Sequence, residues 1–120
     1  MLDAQTTVAE LRARVAAFVA ERHWQPYHDP KNLSMSIAIE AAELMEHFQW
    51  LRSDELASVL ADPRQRGEIV DEVADILCYL LALANVAGID LAAALDAKLA
   101  KNAAKYPVAQ FRGRYYKPKT

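Results

Sequence analysis

The chain has 120 residues, 53% of them hydrophobic and 25% charged, with a formal net charge of −2. That length fits one domain with a real core, and nothing basic enough to grip nucleic acid precedes the last stretch of the chain. No apolar run reaches the roughly 18 residues that cross a bilayer, and no charged-then-apolar leader pattern opens the sequence.

Two further expectations follow from composition. The single cysteine, Cys78, cannot close an intrachain disulfide, so a reducing, cytoplasmic setting is expected. The apolar surplus in so short a chain predicts that part of it is buried between subunits, so the chain is expected to be a homo-oligomer.

In chain order, Thr7 to Arg22 reads as an amphipathic helix with Thr6 or Thr7 as its cap and Leu11, Val15, Phe18 and Val19 as its stripe. Residues 23–33, HWQPYHDPKNL, contain Pro26 and Pro30 and read as a loop, aromatic and polar at once through Trp24, Tyr27, His28 and Asn32. Such a loop either packs its rings over the end of a bundle or faces a ligand. Ser34 to Leu51 reads as the second helix, with Glu40 and Glu43 at i and i+3 and Trp50 continuing the face of Glu43. His47 falls near the same face, where a hydrogen-bond role is expected of it. A short capped connector then runs from Ser53 to Asp62-Pro63.

The third helix, from about Arg64 to Ala87, ends at Gly88 and organises the rest. At 100° per residue its Glu68, Glu72, Asp75 and Tyr79 share an arc of about 60°. Almost everything else on its middle turns is apolar, so the helix is expected to be buried on most sides. Carboxylates so placed need a counter-charge, from Arg or Lys or from a metal ion. Neither acidic strip carries a basic residue, and an all-oxygen ligand set suits Mg²⁺, or Mn²⁺, better than zinc.

Asp90 caps a fourth helix, Leu91 to Tyr106, with a predicted buried stripe of Leu91, Leu95 and Leu99. Beside that stripe Lys98, Asn102 and Lys105 share a face, either a solvated basic row or a phosphate-binding one. The tail 108–120 is basic through Arg112, Arg114, Lys117 and Lys119, and either loose or folded on a partner. The whole, residues 1–120, is expected to be one all-α, four-helix-bundle domain. Its four carboxylates, lysine row and aromatic mouth suit a nucleotide-like polyphosphate bound with a divalent cation.

EAAE at 40–43 and EVAD at 72–75 resemble the paired ExxE and ExxD motifs of the MazG-like all-α nucleoside triphosphate pyrophosphatases. The segments ERHWQPYHDPKNL, ELMEHFQW, DILCYLLAL and KLAKNAAKYP extend the resemblance to the dCTP pyrophosphatase branch over about residues 7 to 107. The resemblance implies that Glu40, Glu43, Glu72 and Asp75 hold Mg²⁺ and carry catalysis. It implies that Lys98, Asn102, Lys105 and Tyr106 meet the phosphates and sugar, and that Trp24, His28, Trp50 and Tyr79 stand on the base side. The implied reaction is (d)NTP plus water to (d)NMP plus pyrophosphate, on dCTP or a modified dCTP, in a tetramer built as a dimer of dimers. Some members of the branch carry a polar residue where this chain has Val15, so the base stays open. Two readings stand beside this one: a related hydrolase of dUTP or phosphoribosyl-ATP, and a non-catalytic helical oligomerisation module whose acidic row pairs with its lysine row. No nucleic-acid or membrane partner is expected.

Overall fold

In the computed structural model, which describes residues 1–116, the chain is all-helical, as expected. The helices are α1 (Val8–Glu21), α2 (Pro30–Glu46), α3 (Leu56–Ala61), α4 (Pro63–Ala87), α5 (Leu91–Lys105) and α6 (Val108–Phe111). Short 3-10 turns lie at Asp3–Gln5, Gln25–Tyr27 and Ser53–Glu55. No single helix among the described residues is long and apolar enough to cross a membrane. The chain divides into two compact units, Met1–Gly88 and the residues from Ile89 on.

Side chains written into the sequence set the helix starts. Thr7 and Glu10 close a capping box, the Thr7 hydroxyl accepting from the Glu10 N–H at 3.1 Å and the Thr7 N–H donating to Glu10 Oε2 at 2.6 Å. Asp29 accepts from the Asn32 N–H at 2.8 Å, Asp62 from that of Gln65 at 3.0 Å, and Asp90 from that of Ala93 at 2.9 Å. Pro30 and Pro63 each follow such an Asp as the first helical residue. The expectation that Pro30 belongs to a loop is therefore corrected. At that position the missing N–H would have had no partner anyway and the fixed φ suits a helix, so Pro30 opens α2 one turn early.

α1 ends where expected, at Arg22, whereas α2 ends early. The N–H groups of His23 and Trp24 reach back to Ala20 O at 3.0 Å and Val19 O at 3.1 Å, while His23 sits at φ 52°. This is the Schellman pattern, with a histidine where glycine is usual. Beyond Glu46, residues 47–50 form turns rather than helix, held by bonds such as Phe48 N–H to Met45 O at 3.0 Å. Trp50 therefore leaves the register it was expected to share with Glu43, and at 85% exposed it is no core residue of this chain.

Within the first unit α4 is the common partner of α1, α2 and α3, most extensively of α2. The core is Val19 of α1, Leu33 of α2, Val59 of α3, and Ile69, Leu81, Ala82 and Ala84 of α4. Arg12 ties α1 to the last turns of α4. Its Nε donates to Asn85 Oδ1 and a terminal nitrogen to Ala84 O, both at 3.0 Å, and Asn85 Nδ2 donates back to Arg12 O at 3.1 Å.

The expectation that α4 is buried on most sides is corrected within the chain. Val70, Val73, Leu77 and Leu80 remain 41–51% exposed on an arc of about 80°, turned away from the carboxylate arc. On α2, Met35 and Ile39 share another exposed face, 57% and 55% open. In the second unit, α5 leaves Leu95 and Leu99 exposed, so the predicted buried stripe is not buried within this chain. There Tyr106, Phe111 and Tyr116 stack edge to face at 5.2 and 6.2 Å around α6. Lys117 and Lys119 lie outside the described residues.

Candidate active site

Because α2 lies along α4, the two i, i+3 acidic pairs face each other. Glu40, Glu43 and Glu72 each bring a carboxylate oxygen into a cluster whose atoms all lie within 4.8 Å of one another. Asp75, one turn along α4, stands outside that cluster, but its charge is felt at Glu40 and Tyr79. Among the described residues no lysine or arginine pairs with these carboxylates. Glu40 Oε2 and Glu72 Oε2 are buried without a hydrogen-bond partner.

Such crowding has an electrostatic consequence. Burial pushes the Glu40 carboxyl up to about 7, helped by hydrogen bonds to Glu43 and Glu72 and by the negative charges of Glu43 and Asp75. Two carboxyl groups can hydrogen-bond only through a shared proton. The metal-free site therefore keeps near neutral pH a proton that ordinary carboxylates would have lost. Two orphaned buried oxygens, a third carboxylate within reach and no nitrogen or sulfur in the cluster fit a hard divalent cation.

The same shift sets a pH dependence. The folded protein holds the Glu40 proton up to about 7 against an ordinary value of 4.5, so between these limits it binds more protons than the unfolded chain. Its stabilising effect is complete below the ordinary value and lost as pH rises through the folded one. Melting in excess chelator should fall from pH 5 to pH 8 in the wild type and fall less in Glu40→Gln. Equal falls in both proteins would contradict the assignment.

Beside the carboxylates runs a line of rings. Tyr79, one turn beyond Asp75 on α4, meets His28 at 6.4 Å between ring centres and 43° between planes. His28 stacks on Trp24 at 6.4 Å and 30°, and Trp24 meets Phe18 edge to face at 5.8 Å. The Arg22 guanidinium covers the outer ring, 3.6 Å from the Phe18 centroid. Burial pushes the Tyr79 hydroxyl up, and the charges of Glu40 and Asp75 add to it. His28 Nδ1 is buried without a partner. His28 also lines a cleft of ≈ 320 Å³ with Val15, Val19, Gln25, Ala82 and Val86.

Of the residues singled out in the sequence, the structure thus gathers Glu40, Glu43 and Glu72 and aligns Trp24, His28 and Tyr79. Trp50 stands on the exposed turn after α2. Lys98, Asn102 and Lys105 lie on α5 in the second unit, where Tyr106 closes the helix by donating its N–H to Asn102 O at 2.8 Å. The cleft lining was missed. Its signal was present in the small side chains Ala16, Ala20 and Ala82 on facing turns of α1 and α4.

Two packed helices that bring Glu40, Glu43 and Glu72 together define an all-α protein with a carboxylate centre. A model of the MazG-like family matches residues 35–117, and the chain belongs to that family. It is 38% identical to bovine dCTP pyrophosphatase 1 over 111 residues, covering 92% of this chain and 66% of that protein. Against human dCTP pyrophosphatase 1 the identity is 37% over 103 residues, covering 86% and 61%. This chain thus spans under two thirds of the length of these relatives. The crystal structure of a pyrophosphatase from Archaeoglobus fulgidus superposes with a TM-score of 0.79 at 45% identity, covering 89% of this chain and 98% of that one.

Proposed function

We propose that the protein is a divalent-cation-dependent nucleoside triphosphate pyrophosphohydrolase, which releases pyrophosphate from a (d)NTP and leaves the monophosphate. The observation that carries this is the carboxylate cluster of Glu40, Glu43 and Glu72 with its two unpartnered buried oxygens. Likeness to dCTP pyrophosphatases and to an archaeal pyrophosphatase supports the reaction class. Glu40, Glu43 and Glu72, with Asp75 closing the set, would hold Mg²⁺, or Mn²⁺ in its place.

When bound, that cation supplies charge neutralisation for the triphosphate and polarises water. The chain's own residues do the rest. Glu40 or Glu43, ionised because a bound cation displaces the proton held in the metal-free cluster, would take the proton of the water that attacks the α-phosphorus. Trp24, His28 and Tyr79 offer ring faces to the base, and the buried His28 Nδ1 is a polar atom with an unfilled hydrogen bond beside an apolar cleft. Lys98, Asn102, Lys105 and Tyr106 are assigned to phosphate and sugar, and Trp50, exposed on its turn, to the base. The substrate we assign is dCTP or a C5-modified dCTP, and the activity is placed in the cytoplasm, in keeping with the lone thiol of Cys78.

The exposed apolar faces of α2 and α4 are assigned to a second copy of the chain, within a dimer of dimers. Pyrophosphate release from a panel of all common and C5-modified NTPs and dNTPs tests the substrate. The expected result is preference for a cytosine deoxynucleotide. Release from dUTP alone would overturn the assigned base. Trp50→Ala should raise KM for every nucleotide by about tenfold or more, since lost stacking is worth about 1–3 kcal/mol. Its melting temperature should hold, because the ring is 85% exposed. An unchanged KM would remove Trp50 from the site.

A further inference from the structure

One polar group beside the carboxylates has no role in that reaction. His47 follows the last residue of α2, one turn beyond Glu43, and its Nε2 lies 3.7 Å from Glu72 Oε1. The two side chains are only 24% and 18% exposed, so the contact is largely shielded from water. The two oxygens of Glu72 are thereby divided. Oε1 faces the imidazole, and Oε2 is buried with no partner. His47 Nε2 is not among the atoms that cluster within 4.8 Å, whereas Glu40, Glu43 and Glu72 all contribute to that cluster.

We propose that His47 is a positioning residue, which holds Glu72 Oε1 and so presents the opposite oxygen to a divalent cation shared with Glu40 and Glu43. A free glutamate rotates about three side-chain bonds, and fixing it costs entropy each time a metal binds. An imidazole N–H directed at one oxygen removes part of that cost beforehand. At 3.7 Å the contact is within ion-pair reach and longer than a hydrogen bond. The backbone helps, since the His47 N–H is bonded to Leu44 O at 3.3 Å and the ring is held at a helix end. Outer partners of metal ligands are commonly worth ten- to a hundredfold in metal affinity. A hydrogen-bond role for His47 is legible in the sequence, but its partner is not, because the meeting of residues 47 and 72 depends on how α2 packs on α4.

The inference rests on the carboxylate cluster being a metal site, and its test separates the two. Mn²⁺ binding is measured directly by electron paramagnetic resonance on the 120-residue chain, without substrate, for wild type, His47→Gln, His47→Leu and His47→Met. Gln places an N–H donor near the position of Nε2, whereas Leu and Met keep the volume without a donor. The expected result is about a ten- to hundredfold loss of Mn²⁺ affinity in Leu and Met and near wild-type affinity in Gln. Metal-free melting temperatures should be similar in all four. Unchanged affinity in Leu and Met would overturn the positioning role while leaving the metal site intact. Equal loss in Gln would overturn it too, as would nitrogen coupling from His47 in the Mn²⁺ spectrum, since the imidazole would then be a ligand itself. Failure of the wild type to bind Mn²⁺ would overturn the metal site and this inference with it.

Discussion

Glu43→Gln should abolish pyrophosphate release, with kcat falling by at least about a hundredfold, the low end for a positioned acid or base. The reason lies in the geometry of one cluster. Glu43 reaches both Glu40 and Glu72, so its charge serves the cation and its lone pairs serve the shared proton. Glutamine keeps the size and one acceptor oxygen but loses the charge. The same change should raise the melting temperature of the metal-free protein, because Glu43 is one of the charges that push the Glu40 carboxyl up. Loss of activity with a gain in stability separates a site residue from a structural one. Full turnover in Glu43→Gln at saturating Mg²⁺ would remove it from the site.

Leu77→Glu should break the assembly. Leu77 is 45% exposed in the single chain, in the middle of the apolar arc of α4 with Val70, Val73 and Leu80. A contiguous apolar face of that kind is normally covered by a partner. An unpaired carboxylate buried in such an interface costs several kcal/mol per copy, and a twofold contact carries it twice. Light scattering should show the wild type as an oligomer and the variant shifted toward a species of 13.4 kDa, with a lower melting temperature that depends less on protein concentration than the wild type's. A wild type that is monomeric at micromolar concentration would contradict the assembly.

Much of this was legible before any coordinates. Thr7 and Asp90 announce helix starts, because a short polar side chain ahead of an apolar period has one obvious use. The convergence of Glu40, Glu43 and Glu72 was legible for a different reason. Carboxylates at i, i+3 on strongly apolar helices are tolerable only if they meet something, and here they meet each other. Other features were hidden by ambiguity of the code itself. Pro30 reads as a breaker or as a first helical residue, and only the Asp29 cap decides between them. Nothing in EHFQW marks the end of α2, since no glycine or proline stands there, so Trp50 was put on a face it does not share. Periodicity also cannot distinguish a core from an interface. Leu77 and Leu81 look alike in sequence, yet one is half-open and the other 3% exposed.

The central claim is that this carboxylate centre directs water to the α-phosphorus of a nucleoside triphosphate. Phosphorus NMR of dCTP, MgCl₂ and the protein in water enriched in oxygen-18 tests it most directly. The account predicts two products, dCMP and pyrophosphate, with the label carried by dCMP and no turnover in excess chelator. Label in the pyrophosphate, or release of dCDP and orthophosphate, would contradict it.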